Sequence, residues 1–282
     1  MPISIASPAR LDDQQRAAVL DLAETIEHAD GAPPLSDQGR SQLTSTRVRH
    51  VTATDAGALV GYAQRDATSA ELLGEPQTLA PLLDALQSDV GELDLWAHGS
   101  RSRLVPVLEA RGYVRERVLW QLRRVATPLD SPPVPAGVRL RPFVVGRDED
   151  AWLAVNAAAF AHHPEQGGWT RADLDARESE SWFDPAGLLL AERDGELLGF
   201  HWTKRHNAAL GEVYVIAVAP AAQGLHLGSV LLIAGLEYLR RDGVSEVLLY
   251  VDESNSQAMA LYEKYGFRRF DHDVQYRYRP SA

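Results

Sequence analysis

Glu212-Val-Tyr-Val-Ile-Ala-Val-Ala-Pro220-Ala-Ala-Gln223-Gly224-Leu225-His226-Leu227-Gly228 is the stretch that decides the fold. Its apolar first half predicts a strand that stops at Pro220. The glycine-bearing turn then opens into residues 229–239, whose apolar residues predict a helix with a buried face. A tight turn that leads into a helix leaves backbone N–H groups unpaired at the positive end of the helix dipole. The stretch therefore predicts a strand–turn–helix unit that can bind phosphate oxygens.

A second segment, Asn255-Ser-Gln-Ala258-Met-Ala-Leu261-Tyr262-Glu-Lys-Tyr265-Gly266-Phe267, follows further along the chain. Four of its residues recur at the spacing of one helix face, namely Ala258, Leu261, Tyr262 and Tyr265. In this order, the two segments resemble the acetyl-CoA loop and the following helix of the GCN5-related N-acetyltransferases (GNAT). The resemblance implies an N-acetyltransferase that uses acetyl-CoA as acetyl donor and needs no metal.

The resemblance also assigns the coenzyme-binding residues. Acetyl-CoA is expected along the backbone of the strand, at Ile216, Ala217 and Val218. Its pyrophosphate is expected on backbone N–H groups of the turn, at Gln223, Gly224, Leu225, His226, Leu227, Gly228 and Ser229. Asn255, a natural helix N-cap, and Ala258 are expected to face the coenzyme. The family has Gly where this chain has His226, and we expect His226 to hold right-handed geometry in the first helical turn.

Two residues are the candidates for proton transfer. Attack on a thioester needs a neutral amine, and Glu212 at the start of the strand is expected to remove the amine proton. Tyr262 is expected to protonate the departing thiolate, since a phenol with a pKa of about 10 can serve as acid for a thiol with a pKa of about 8.5. Outside the motif, the same patterns fit a core tyrosine and a solvated glutamate at a strand end.

Composition excludes several classes of function. The 282 residues suffice for two domains, and no stretch approaches the ~20 apolar residues of a membrane helix. The chain has no cysteine, which excludes disulfides, thiolate metal sites and a cysteine nucleophile. A formal net charge of −11 argues against nucleic-acid binding. We expect a cytoplasmic monomer that acts on small molecules, with no membrane or nucleic-acid partner.

A proline-rich stretch divides the chain. Pro128-Leu-Asp-Ser-Pro132-Pro133-Val-Pro135 predicts an extended linker. We predict an N-terminal GNAT-like domain at 1–126, a linker at 127–136 and a C-terminal catalytic GNAT domain at 137–282. The order of predicted elements is similar on both sides, but residues 69–80 lack a glycine-rich loop, so the first domain is expected to be non-catalytic. The predicted fold class is α+β, with a mixed, mostly antiparallel sheet flanked by helices in each of two tandem domains.

Other segments are more specific, among them His162-His-Pro-Glu165-Gln-Gly-Gly-Trp169-Thr, Gly199-Phe-His-Trp-Thr-Lys204 and Leu249-Tyr250-Val-Asp-Glu-Ser-Asn255. They are similar to a tandem branch of the family that acetylates the cysteinyl amine of a cysteine–glucosamine–inositol pseudodisaccharide, the last step of mycothiol biosynthesis. The resemblance implies five substrate contacts: Asp37, Glu165, Lys204, Glu212 and Tyr250. Asp37 is shorter than the glutamate that is usual in this branch. Such polar groups discriminate well, because an unpaired partner is costly.

Two alternatives remain at this point. One is an N-acetyltransferase of the same fold that acts on another small amine or on a peptide. The other is a non-catalytic acyl-CoA-binding regulatory module, for which the altered turn at His226 leaves room. The presence of both Glu212 and Tyr262 favours an enzyme.

Overall fold

The computed structural model describes residues 3–67, 69–162 and 166–279. The chain forms two compact units. The first contains the described chain up to Trp120, Asp252–Ser254 and the described residues from Asp271 onward, and the second contains Gln121–Val251 and Asn255–Phe270. The segment from Asp271 thus belongs to the first unit, although it lies within the C-terminal domain predicted at 137–282. The division at 127–136 stays a prediction.

The first unit is a sheet with helices packed on it. Its elements are β1 (Ser4–Ala6), α1 (Asp13–Asp30), α2 (Asp37–Ser41), β2 (Arg49–Asp55), β3 (Ala58–Asp66), β4 (Ser69–Gly74), α3 (Pro76–Gln87), β5 (Leu93–Ala97), α4 (Val105–Ala110) and the start of β6 (Val114–Val125). From β1 to β4 each strand pairs antiparallel with the next, whereas β4 and β5 are parallel. Val274–Tyr278 pairs antiparallel with β5.

The second unit has the same kind of sheet. Its elements are the end of β6, β7 (Arg139–Pro142), α5 (Glu149–Ala159), α6 (Arg171–Glu178), β8 (Leu188–Arg193), β9 (Glu196–Arg205), β10 (Leu210–Val218), α7 (Leu227–Arg241), β11 (Glu246–Asp252), α8 (Ser256–Lys264) and the start of β12 (Arg268–Tyr278). From β7 to β10 each strand pairs antiparallel with the next, and β10 and β11 are parallel.

Alternating side chains of β9 bury both faces of the second sheet. Phe200 and Trp202 point into a core with Trp152 of α5, and their ring centroids lie 4.8 and 5.5 Å from that of Trp152. Residues that alternate with them along the strand, such as Gly199, face α7 instead, where a Cβ on Gly199 would lie 3.1 Å from Leu231. Helices therefore flank the sheet on both faces.

The predicted fold class is confirmed, because each unit combines helices with a mostly antiparallel sheet. Four elements of the first unit were not predicted, namely β1, α2, β4 and α3. Of these, β4 and the start of α3 occupy the stretch in which the glycine-rich loop is missing. In the described part of the chain, no helix has both the length and the apolar character needed to cross a bilayer.

Candidate active site

The site begins where β10 and β11 part. The two strands pair in parallel at Leu210–Glu212 with Glu246–Leu248. Both strands continue beyond this point, and within the described residues they share no further pairing. The edge of β10 that faces away from β9 therefore presents open backbone N–H and C=O groups beyond Glu212. Ile216, Ala217 and Val218 lie on this open part of the strand.

A β-bulge at Tyr214 shapes the middle of β10. Val213 pairs with Thr203 and Val215 with Trp202, which leaves Tyr214 as the extra residue. A bulge shifts the alternation of side chains by one position. As a result Glu212 and Tyr214 lie on the α5 face, and beyond the bulge Val215 reaches the same face and joins the core around Trp152.

Glu212 is a nearly buried carboxylate with a histidine partner. Its side chain is 9% exposed, against 31% for that of His206. Nε2 of His206 lies 2.7 Å from Oε2 of Glu212, and it donates the hydrogen bond if the glutamate is ionised. Lys204 pairs with Glu212 across β9 and β10, so the two side chains lie on the same face. The carboxylate thus stands between two groups that can carry positive charge.

Lys204 lies in an aromatic box formed by the rings of Trp182 and Tyr214. Its side chain is buried, and Nζ lies 5.1 Å from the ring centroid of Trp182 and 5.5 Å from that of Tyr214. The rings of Trp182 and Tyr214 contact each other edge to face at 5.0 Å. Cation–π contacts of this kind help to hold the ammonium group in place. The box lies beside Glu212 on the same face of the sheet.

The turn before α7 differs from expectation at His226. His226 is the N-cap of α7 and has φ 57° and ψ 20°, the left-handed region, so the expected right-handed geometry is wrong. The helix begins at Leu227, so His226 lies just outside it. The left-handed region is a conformation that favours glycine. The side chain of His226 makes no capping hydrogen bond, so the N–H groups of the first turn of α7, including those of Gly228 and Ser229, remain at the positive end of the helix.

Replacing His226 by Gly is expected to raise the free energy of unfolding by about 1 kcal/mol, since a left-handed residue with a Cβ is strained. Turnover should stay unchanged and the KM for acetyl-CoA should change by less than about tenfold, because the backbone N–H groups are retained. Thermal unfolding and steady-state kinetics measure both effects. His226→Ala, which keeps the strain, serves as the control. Collapse of turnover in His226→Gly would mean that the imidazole itself is required.

His201 on β9 anchors α7 to the sheet. The ring is fully buried, and its Nδ1 donates to the carbonyl of Leu231 over 2.8 Å. A Cβ on Gly235 would lie 2.1 Å from Nδ1, so glycine is needed there to leave room for the ring. Burial lowers the pKa of His201 to about 4, so the ring is neutral at physiological pH. This contact fixes the position of the helix whose N-terminus faces the turn.

Tyr262 lies on the buried face of α8. The side chain packs edge to face on Phe267 at 5.8 Å and is 7% exposed. Burial raises the pKa of Tyr262 to about 12, so its hydroxyl keeps its proton at neutral pH. Asn255 caps the same helix, with its side-chain oxygen accepting from the N–H of Ala258 at 3.1 Å. The N-cap expected for Asn255 is confirmed.

The remaining predicted substrate residues are placed as follows. Tyr250 on β11 is 37% exposed, and its hydroxyl accepts from Nε2 of Gln121 at 2.7 Å. Asp37 is the first residue of α2 in the first unit, after the N-cap Ser36. Glu165 lies outside the described residues. Their roles stay predictions.

Sequence reasoning missed His206, Trp182, Tyr214 and His201. The signal for His206 was the short connection between β9 and β10, which folds residue 206 back beside residue 212; the N–H of His206 donates to the carbonyl of Leu210 at 3.0 Å. Trp182 has no comparable signal, because it reaches the site from a distant loop.

Known proteins resemble this chain along nearly its whole length. Residues 155–267 match the acetyltransferase (GNAT) family. The mycothiol acetyltransferase of Thermomonospora curvata is 48% identical over 284 residues, which cover 96% of each protein. The chain belongs to the mycothiol acetyltransferase family. The family's protein from Streptomyces avermitilis is 46% identical over 97% of this chain and 95% of its own length.

Solved structures share the fold. A tandem GNAT protein from the clavulanic acid biosynthesis pathway, solved without acetyl-CoA, aligns over the full length of both chains with a TM-score of 0.74 and 21% identity. A GCN5-related N-acetyltransferase from Sphaerobacter thermophilus aligns over 99% of this chain and 97% of its own, with a TM-score of 0.67 and 23% identity. At these identities the similarity shows the fold alone, and the tandem GNAT fold is confirmed.

Membership in the family makes the chain an acyltransferase that uses acetyl-CoA. The site suits this co-substrate. The uncapped start of α7 offers N–H donors to phosphate, and the open edge of β10 offers backbone partners to an extended amide chain.

Proposed function

We propose that the chain transfers the acetyl group of acetyl-CoA to the cysteinyl amine of a cysteine–glucosamine–inositol pseudodisaccharide, the reaction that completes mycothiol. The observation that carries this proposal is the Glu212 cluster at the point where β10 leaves β11. There a shielded carboxylate stands beside His206 and the boxed Lys204. Near-full-length similarity to mycothiol acetyltransferases supports the choice of acceptor.

Glu212 takes the proton of the acceptor ammonium. The hydrogen bond to His206 occupies Oε2 and leaves Oε1 to meet the amine. The neutral nitrogen then attacks the thioester carbonyl carbon, so that a C–N bond forms and the C–S bond breaks. Backbone N–H groups stabilise the negative charge on the carbonyl oxygen.

Tyr262 delivers a proton to the departing sulfur. Its hydroxyl is protonated at neutral pH, as that of any phenol is, and burial raises its pKa further, to about 12. Among the described residues no hydrogen bond holds its hydroxyl, so the proton is available for the thiolate. Transfer leaves a phenolate that regains its proton from solvent after product release.

The coenzyme is held by main-chain groups. Its pyrophosphate accepts from the N–H groups of the turn and of the first turn of α7, from Gln223 to Ser229. Its extended arm lies along the open edge of β10 at Ile216, Ala217 and Val218. Asn255 and Ala258, at the start of α8, complete this side. Because the donors are backbone groups, their side chains are free to vary.

The acceptor is held by polar side chains and rings. Lys204 and Tyr250 donate to sugar hydroxyls, and Asp37 and Glu165 accept from them. The faces of Trp182 and Tyr214, which already fix Lys204, form an apolar wall against which a sugar or inositol ring can pack. The proposal includes a cytoplasmic location, since both substrates are small intracellular metabolites. It also includes a monomeric state, which light scattering tests.

A direct assay tests the function. The purified chain is incubated with acetyl-CoA and the cysteinyl pseudodisaccharide, and mass spectrometry follows the N-acetyl product while a thiol reagent measures released coenzyme A. We expect equal amounts of both products. Free cysteine, the glucosamine–inositol fragment and an N-terminal peptide amine serve as competing acceptors. A higher kcat/KM for any of these would show that the acceptor has been assigned wrongly.

A further inference from the structure

The two units carry a glutamate at the same place in the same substructure. In the first unit, β4 pairs in parallel with β5 at Ser69 and Ala70, just as β10 pairs with β11 from Leu210. Glu71 is the third residue of β4, and Glu212 is the third residue of β10. Each also pairs with a polar residue of the preceding antiparallel strand, Gln64 for Glu71 and Lys204 for Glu212. Glu71 is therefore the counterpart of the proposed base.

The surroundings of Glu71 leave no room for a substrate amine. Oε1 accepts from the backbone N–H of Ser36 at 3.1 Å and from Nε2 of His98 at 3.2 Å. Oε2 accepts from Nε2 of Gln64 at 3.4 Å. A Cβ on Gly39 would lie only 1.7 Å from Oε2, so α2 covers the carboxylate closely. Both oxygens are thus engaged by the protein itself.

Charge holds this arrangement together. His98 bridges Glu71 and Asp273, with Nδ1 3.0 Å from the carboxylate of Asp273. Burial alone would lower the pKa of His98, but Asp273 and Glu71 raise it to about 10, so the ring is an imidazolium at neutral pH. Burial alone would raise the pKa of Glu71, but His98 and Ser36 hold it below its ordinary value. The carboxylate therefore stays ionised and continues to accept the hydrogen bond from the N–H of Ser36.

The segment that Glu71 holds is the one that carries Asp37. Ser36 is the N-cap of α2, and its hydroxyl accepts from the N–H of Gly39 at 3.0 Å. Gln64 adds a second tie, because its Nε2 also donates to the carbonyl of Gly39 at 3.0 Å. The backbone on both sides of Asp37 is thus fixed by Glu71 and its neighbour.

We propose that Glu71 is a positioning residue for the acceptor: its carboxylate, no longer able to serve as a base, fixes Ser36–Gly39 and so sets the place of Asp37. This inference rests on the proposed function, in which Asp37 binds the pseudodisaccharide.

Kinetics of Glu71→Gln test the proposal. The glutamine keeps the shape but loses the charge, and its amide nitrogen meets a donor at Ser36, His98 or Gln64. We expect the KM for the pseudodisaccharide to rise about tenfold, with the KM for acetyl-CoA and kcat within about twofold of the parent. Because the effect passes through Asp37, it should not exceed that of Asp37→Asn, and the double variant should match Asp37→Asn alone.

Two further variants separate positioning from loss of stability. Leu83→Val shortens a buried side chain in a core cluster that contains neither Ser36 nor Gly39, so it should lower the Tm without changing the acceptor KM. Gly39→Ala pushes on Oε2 of Glu71 without removing a charge and should raise the acceptor KM as Glu71→Gln does. If one of these fails to fold, the other still decides.

Amide hydrogen exchange gives a readout that is independent of activity. Backbone amides of residues 36–41 should exchange faster in Glu71→Gln than in Leu83→Val. Unchanged exchange there, or multiplying effects of Asp37→Asn and Glu71→Gln on KM, overturns the inference. If the parent chain does not acetylate the pseudodisaccharide, the proposed function fails, and exchange alone still shows whether Glu71 holds the segment.

Discussion

Tyr262→Phe should lower turnover by about 10²–10⁴-fold, the usual range for loss of a general acid. The ring stays on its helix face and keeps its contact with Phe267, so the KM for acetyl-CoA should change little. The buried hydroxyl has no hydrogen-bond partner among the described residues, so the free energy of unfolding should stay within about 0.5 kcal/mol of the parent. Stopped-flow assays and thermal unfolding measure these quantities.

The pH dependence of the parent adds a second check on Tyr262. Its pKa of about 12 keeps the phenol protonated through the accessible alkaline range, so ionisation of Tyr262 should not reduce turnover below about pH 11. Tyr265→Phe, which removes a hydroxyl from the end of the same helix, is the matched control and should retain full turnover. Retention of most activity by Tyr262→Phe at pH 7 would show that another group supplies the proton.

Glu212→Gln should also reduce turnover by about 10²–10⁴-fold at neutral pH. The amide oxygen can still accept from His206, so the local structure and the affinity for acetyl-CoA should be preserved. The defect should shrink as pH rises, because more of the acceptor amine is then neutral before it binds. The loss of turnover in Tyr262→Phe should not shrink as the pH rises, because the tyrosine acts on the sulfur and not on the amine. A pH–rate profile from pH 6 to about 10 distinguishes the two.

Glu212→Asp is the matched control for the base. It keeps a carboxylate on a shorter side chain, so its turnover should fall less while its pH profile keeps the shape of the parent's. If Glu212→Gln gave the parent's profile instead, the glutamate would bind the substrate without moving a proton.

The strand–turn–helix unit is predictable from sequence because local rules specify each part. An apolar run, a proline stop and a glycine turn determine β10 and the start of α7, and the N-cap at Asn255 determines α8. His226 shows the limit of such rules. Its left-handed backbone follows from the path of the turn, and only the structure reveals that the helix begins at Leu227, with His226 as its N-cap.

Local sequence patterns do not predict the side-chain contacts between neighbouring strands. Glu212 contacts His206 because the connection between β9 and β10 folds back beside it. The aromatic box around Lys204 depends on the bulge at Tyr214, which no residue type in the sequence predicts. β4 and α3 escape prediction for another reason. Pro76 and Pro81 interrupt the apolar pattern, although the first stands at the helix start, where proline is tolerated.

The separation of β10 from β11 beyond Glu212 has a consequence for the purified protein. An open strand edge inside a sheet is a template that another chain can extend, and it is a known route to aggregation. In the proposed function acetyl-CoA lies along that edge and covers it as an added strand would. Storage with coenzyme A is therefore expected to protect the purified chain from aggregation.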